Sequence, residues 1–307
     1  MDPIHIGTSF QNHSLIQKIT AHEWQRKSLQ VDMLRLDKIH PVISGNKWFK
    51  LKHHLLQAQK QNANRLITWG GAYSNHIVAL AYASAEMGLP SIGIIRGEEP
   101  LHLSKTLEDA KKYGMSLRFV KRTDYKSKSE KENLDKLSKE FPDAYFIPEG
   151  GAGEQGVRGA QEILQLVDRN LYHYVICAVG TGTMFHGLSR GLKENQTIIG
   201  IPVLKGITDL GTLTAAHHAL AQGPDQKLIF DYHFGGYAKR NLDLFRFMND
   251  FYARTGIPLD FVYTAKLMYA VLDLADKGYF KEGASILVIH SGGLQGNLSL
   301  RTGILAF

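Results

Sequence analysis

A lysine set against a glycine turn is the first residue whose surroundings could do chemistry. In Ser44-Gly45-Asn46-Lys47 it stands where a helix-like run begins. A helix dipole disfavours a cation at that end. A site that lowers a lysine pKa leaves its amine a better nucleophile toward a carbonyl. The same residues would also suit a plain turn with a surface lysine. A second segment, Gly70-Gly-Ala-Tyr-Ser74-Asn75-His76, passes from a strand-like stretch to a helix-like one. There Ser74, Asn75 and the backbone N–H groups behind them would face an anion, or Ser74 would simply cap the helix beside a surface histidine, His76. A third, Gly180-Thr181-Gly182-Thr183, follows the strand that holds Cys177 and opens another helix. Its glycines would let backbone amides close on a phosphate, with threonine hydroxyls as added donors; a tight packing turn is the alternative. The pattern is neither a P-loop nor GxGxxG. A fourth, His290-Ser291-Gly292-Gly293, ends an apolar strand and could shape a ring pocket or merely turn the chain.

Other residues read as structural. His53-His54 and His217-His218 lack ligand spacing and suit helix surfaces. Cys177, in an apolar stretch, suits packing better than nucleophilic attack. As the single cysteine it excludes an internal disulfide and a CxxC metal site, and a reducing cytoplasm is expected. The N-terminal residues show no signal-peptide pattern, and no apolar run approaches the ~20 residues of a membrane span. The net charge is +7, yet the basic stretch 121–140 is interleaved with acids, as on a solvated helix face. With no nucleic-acid motif in the chain, attraction of small anions is a sufficient use of that charge.

The elements that must position these segments alternate. Val31–Leu36, Arg65–Trp69, Ser91–Arg96, Ser116–Val120, Ala144–Ile147, Tyr174–Val179, Thr197–Pro202 and Ser285–His290 read as strands. Lys47–Ala58, Asn75–Met87, Leu103–Tyr113, Ser129–Phe141, Gly156–Asp168, Met184–Lys193, Leu242–Thr255 and Ala265–Lys277 read as helices, with Ser74 and Ser129 as N-caps. This is the pattern of an α/β protein with parallel sheets covered by helices. Residues 52–147 hold a complete run of βα units, a smaller domain inserted into a larger one made of 1–51 and 148–307.

Seven short segments, in order, resemble one family: the 1-aminocyclopropane-1-carboxylate (ACC) deaminases and D-cysteine desulfhydrases, which use pyridoxal 5′-phosphate (PLP). They are Leu34-Arg-Leu-Asp37, Ser44-Gly-Asn-Lys47, Gly70-Gly-Ala-Tyr-Ser-Asn75, Ile147-Pro-Glu-Gly-Gly151, Gly180-Thr-Gly-Thr183, Leu259-Asp-Phe-Val-Tyr263 and His290-Ser-Gly-Gly293. The resemblance implies the two-domain tryptophan-synthase-β-like fold, fold type II, with PLP between the domains and a homodimeric assembly. It places Lys47 on the lysine that holds the cofactor covalently and Asn75 on the residue meeting its phenolic oxygen. Ser74 and His76 fall near the substrate carboxylate, Gly180, Thr181, Gly182 and Thr183 on the phosphate loop, and Tyr263 on the active-site tyrosine. Thr264 stands where ACC deaminases carry the glutamate that pairs with the pyridine nitrogen, as in the desulfhydrase branch. Ser291 replaces the threonine usual in that branch, and Phe261 a proline. The expectation is a lyase that performs α,β-elimination on a small D-amino acid, D-cysteine foremost. ACC ring opening and a non-catalytic PLP-binding protein are the alternatives.

Overall fold

The computed structural model describes residues 15–21, 24, 27–206 and 223–307. The paired histidines at 217–218 lie outside them. Six strands, β1 (Ile16–Ile19), β2 (Gln30–Arg35), β7 (Tyr174–Val179), β8 (Thr197–Pro202), β9 (Asp225–Leu228) and β10 (Ser285–His290), form one sheet in the order β1-β2-β10-β7-β8-β9. The other sheet, β5-β4-β3-β6, is built from β3 (Arg65–Gly70), β4 (Ser91–Arg96), β5 (Met115–Val120) and β6 (Ala144–Ile147). All neighbours are parallel except β1, which runs antiparallel to β2 at the edge.

Period-two alternation decides which way each strand faces. On β7, Val175, Cys177 and Val179 enter one core while Tyr174, Ile176 and Ala178 enter the other. On β10, Leu287 and Ile289 oppose Ile286 and Val288 in the same way. Both faces are therefore buried, which is why these strands read as unbroken apolar runs. The first core also takes Leu66, Ile77 and Ile147 from the smaller sheet and its surroundings, so it is continuous between the two sheets.

Helices cover the faces: α1 (Asn46–Lys60), α2 (Asn75–Glu86), α3 (Lys105–Lys112), α4 (Arg122–Lys126), α5 (Lys131–Glu140), α6 (Glu154–Gln161), α7 (Thr183–Gly191), α8 (Leu242–Thr255) and α9 (Thr264–Asp276). In α1, Trp48, Leu51, Leu55 and Ala58 recur at spacings of three and four and are all buried. Each such leucine contributes roughly 1.5–3 kcal/mol of apolar burial. α5 buries nothing, as its mixed charges predict.

Four sequence expectations need correction. The helix expected over Ser129–Phe141 is α5, which starts only at Lys131 with Glu130 rather than Ser129 at the cap position, and the short α4 before it was not expected. Strands β1 and β9 were not predicted, because IQKI and DQKL are short edge segments without an apolar run. The last turn before Asp168 is a 3-10 segment, Glu162–Leu166, rather than a continuation of α6. His53 and His54 are buried, not on a helix surface: His53 Nε2 lies 2.5 Å from Glu162 Oε1, and His54 bonds Tyr145 Oη and Ala152 O.

Candidate active site

Parallel strands end together, and here the C-terminal ends of both sheets meet at one cleft with a cavity of ≈ 600 Å³. The four glycine segments all contribute to its lining.

Lys47 enters the cleft from the first turn of α1, which opens on Gly45 at φ +71°. That glycine is required. A Cβ there would stand 1.8 Å from Ser291 O, and Asn46 N donates to the same carbonyl at 2.9 Å. The fourth segment thus buttresses the turn that carries Lys47, a role its sequence does not reveal. Lys47 Nζ donates to Asn46 Oδ1 at 2.7 Å. Burial lowers its pKa to about 8, partly opposed by the Asp260 carboxylate. About a tenth of the amine is then neutral, and nucleophilic, at pH 7.

The third segment forms a cradle at the N-terminus of α7. Gly182 has φ +79°, and its αL conformation turns the chain into the helix. Gly180 lies under the Tyr263 ring, 3.2 Å from Cε1 to where a Cβ would be. Thr181 and Thr183 share a hydroxyl–hydroxyl bond of 2.9 Å. Thr181 lines the cleft, while Thr183 is set back and fully buried. Sequence reasoning missed Lys50, whose Nζ lies 3.5 Å from Thr181 Oγ1. Its spacing of three from Lys47 puts both amines on one helix face and was the available signal. Burial, then the neighbouring Lys47, drives the Lys50 pKa well below that of a free lysine. An anion at Thr181 would restore its charge.

From the smaller sheet, Ser74 and Asn75 reach the cleft at the start of α2. Ser74 occupies the N-cap position but its side chain does not cap. Asn75 Nδ2 donates to Gly293 O at 3.0 Å, and Gln295 N donates to Asn75 Oδ1 at 3.3 Å, so the asparagine ties α2 to the loop after β10. His76 is 1% exposed, although its edge borders the cleft. The Thr68 hydroxyl donates to Ile147 O, so His76 Nε2 must be the donor in its 2.8 Å contact with Thr68 Oγ1. Nδ1 is left as a buried acceptor with no partner among the described residues. Desolvation lowers the His76 pKa well below the usual value, which keeps the ring neutral. In this tautomer its side chain offers the cleft an acceptor and no donor.

Tyr263 and Tyr237 line the opposite wall with ring centroids 6.3 Å apart. Burial raises the Tyr263 pKa well above that of a free phenol. Thr264 does not line the cleft. Its hydroxyl donates to Asp260 Oδ1 at 2.9 Å and accepts from Asp260 N at 2.7 Å. The Asp260 carboxylate also accepts from the backbone N–H groups of Val262, Tyr263 and Thr264, capping α9. The hydroxyl on this wall that does border the cleft is Ser291. Cys177 is fully buried, and burial pushes its thiol up to about 12, as packing rather than catalysis requires.

Residues 22–292 match the family described as pyridoxal-phosphate dependent enzyme. The chain belongs to that family. Among its relatives is a Pyrococcus abyssi protein named provisionally as a 1-aminocyclopropane-1-carboxylate deaminase, 31% identical over 83% of this chain and 81% of the relative. Another is the D-cysteine desulfhydrase of Klebsiella pneumoniae (strain 342), 27% identical over 86% and 87%. A crystal structure titled as an ACC deaminase homologue superposes with a TM-score of 0.77 at 28% identity, covering 96% of each chain. The fold is type II, and the enzyme is a PLP-dependent lyase. Its cleft suits the cofactor: a partly neutral lysine for the aldehyde, a glycine cradle with a lysine that awaits an anion, and a buried wall for the ring. No helix among the described residues is long and apolar enough to cross a membrane.

Proposed function

We propose that this lyase eliminates the β-substituent of a small D-amino acid, D-cysteine foremost, releasing pyruvate, ammonia and sulfide. The observation that carries the reading is the wall formed by Asp260, Thr264 and Ser291. Its one carboxylate, Asp260, is engaged by three backbone N–H groups and the Thr264 hydroxyl. Asp260 lines the cleft with these bonds already made, and the hydroxyl on this wall that borders the cleft is that of Ser291. A carboxylate beside that nitrogen would favour the protonated ring by charge attraction, and a hydroxyl does not. The weaker electron sink suits a substrate whose Cβ already bears a good leaving group.

Bound PLP supplies the sink for the electron pair left at Cα. The chain's residues do the rest. Lys47 anchors the cofactor, and its Nζ, once freed, takes the Cα proton. Ser74 and the free N–H groups at the start of α2 hold the substrate carboxylate. Asn75 uses one amide hydrogen on Gly293 O and keeps the other for the phenolic oxygen. Gly180, Thr181, Gly182 and Lys50 hold the phosphate, with Thr183 supporting Thr181. Tyr263, a neutral phenol, closes the ring face and can pass a proton to the departing group.

A second reading, ACC ring opening, is supported by the names of the Pyrococcus relative and the solved homologue. Keto acid and sulfide release from D-cysteine, L-cysteine, D-serine and ACC separates the two. Release from D-cysteine with negligible turnover of ACC is expected. Efficient ammonia release from ACC would overturn the elimination reading and leave PLP dependence intact.

A further inference from the structure

A second pocket of ≈ 460 Å³ opens beside the cleft and is lined by Arg96, Arg122, Tyr125, Lys126, Lys128 and Glu149. Arg96, Arg122 and Glu149 line the cleft as well, so the two spaces communicate. Four cations face one carboxylate there, and that carboxylate is engaged by Lys128, 3.1 Å away. Among the described residues neither arginine has an acidic partner within ion-pair distance. The floor is Tyr125, 3% exposed, with Lys128 Nζ 4.5 Å and the Arg96 guanidinium 5.9 Å from its ring centroid. Its buried hydroxyl lies beside the Glu149 carboxylate without making a well-formed hydrogen bond to it. Burial and the Glu149 charge keep it a phenol, and therefore a donor. The pocket thus gathers two exposed guanidinium groups without acidic partners around a buried phenol whose neighbour is Glu149. Such a cluster of guanidinium groups offers a bidentate seat to a carboxylate or phosphate.

We propose that this annex binds a distal anionic group on the substrate, so that Arg96, Arg122 and Tyr125 determine specificity. The inference rests on the elimination reading and narrows its substrate class. Preferred substrates are amino acids whose β-substituent ends in a carboxylate or phosphate, and D-cysteine is a minimal substrate that leaves the annex unfilled. The chemistry is unchanged. The Cα–H proton goes to Lys47 Nζ, the Cβ–X bond breaks with its electron pair on X, and no oxidant or reductant is required. Arg96 is well placed to register such a group, because its Nη2 lies 3.7 Å from where a Gly71 Cβ would be, in the loop that leads to Ser74. Across the cleft it acts on Tyr237, whose pKa its charge lowers against the larger effect of burial.

The test is binding to the holoenzyme, read from the visible absorbance of the bound cofactor. The ligands are D-alanine, D-glutamine and D-glutamate, with their L-enantiomers. Glutamine and glutamate match in shape and differ in charge. D-Glutamate is expected to bind ~10-fold or more tightly than D-glutamine, the scale of one or two charge-assisted hydrogen bonds. In the Arg96→Gln, Arg122→Gln double variant the ratio should fall toward one, while D-alanine serves as the reference with no distal group. Both arginines are exposed, so melting curves will show the variant folded. A glutamate-to-glutamine ratio near one in the natural enzyme, or one that the double variant leaves unchanged, overturns the annex. If D-alanine shifts the absorbance and D-glutamate has no advantage, only the annex falls. If no amino acid shifts it, the elimination reading falls too.

Discussion

Two lysines three residues apart carry different chemistry because their surroundings differ. Lys47 is held at about 8 against 10.5 for a free lysine, by burial that Asp260 only partly opposes. Capture of PLP by the apoenzyme needs the neutral amine, so its rate should rise with pH around a midpoint near 8; stopped-flow absorbance at a series of pH values reads this. A midpoint near 10 would mean an ordinary exposed lysine. The stability sign follows from the same shift. Between about 8 and 10.5 the unfolded chain holds a proton that the folded one lacks, so this lysine's contribution to apoenzyme stability improves as pH rises through that window. Lys50, whose pKa burial and then Lys47 also lower, lies beside Thr181. Replacing it with methionine removes an amine whose charged form is adverse in the apoenzyme and useful only to a phosphate. PLP affinity should drop ~10-fold or more, as for loss of a charge-assisted contact, while affinity for pyridoxal, which lacks the phosphate, stays the same. Equilibrium dialysis against both compounds checks it. Lys47 stands in a glycine turn and was legible in the sequence. Lys50 offered only its spacing of three from Lys47, and the fold alone brings Thr181 to its amine.

At the scale of elements, the site is an agreement between turns. Helix α1 starts where it does because Gly45 packs its backbone against Ser291 and Gly292. Gly45→Ala meets two obstacles, a φ/ψ pair of +71° and −151° that costs an L side chain roughly 1–3 kcal/mol and a backbone oxygen 1.8 Å from the new methyl. It is expected to lower the melting temperature and the cofactor content together. A variant with normal cofactor content would show that the turn does not position Lys47. Strand and helix order were readable because β7 and β10 are unbroken apolar runs and α1 repeats its apolar residues at spacings of three and four. The short edge strands β1 and β9 were not, since polar edge segments resemble loops. At Thr264 and His76 the local structure decides what the side chain can offer. Their positions suggested contacts with ligand, but Asp260 holds the hydroxyl of one and Thr68 fixes the tautomer of the other.

Across the whole molecule, two sheets with parallel C-terminal ends and a continuous core between them leave one cleft into which all four glycine segments project. Lys47, Gly180 and Ser291 are widely separated in sequence, and Ser74 comes from the smaller sheet's side, so each must be delivered by a different crossover. The sequence showed the segments, and only their assembly shows that they share a ligand. The most direct test of that convergence is covalent. The holoenzyme is reduced with borohydride, digested, and the pyridoxyl-bearing peptide mapped by mass spectrometry. The label should fall on Lys47, and Lys47→Ala should stay folded, carry no label and release no keto acid. A label on Lys50 or Lys52, or turnover that survives in Lys47→Ala, would contradict the placement of the chemistry at this turn.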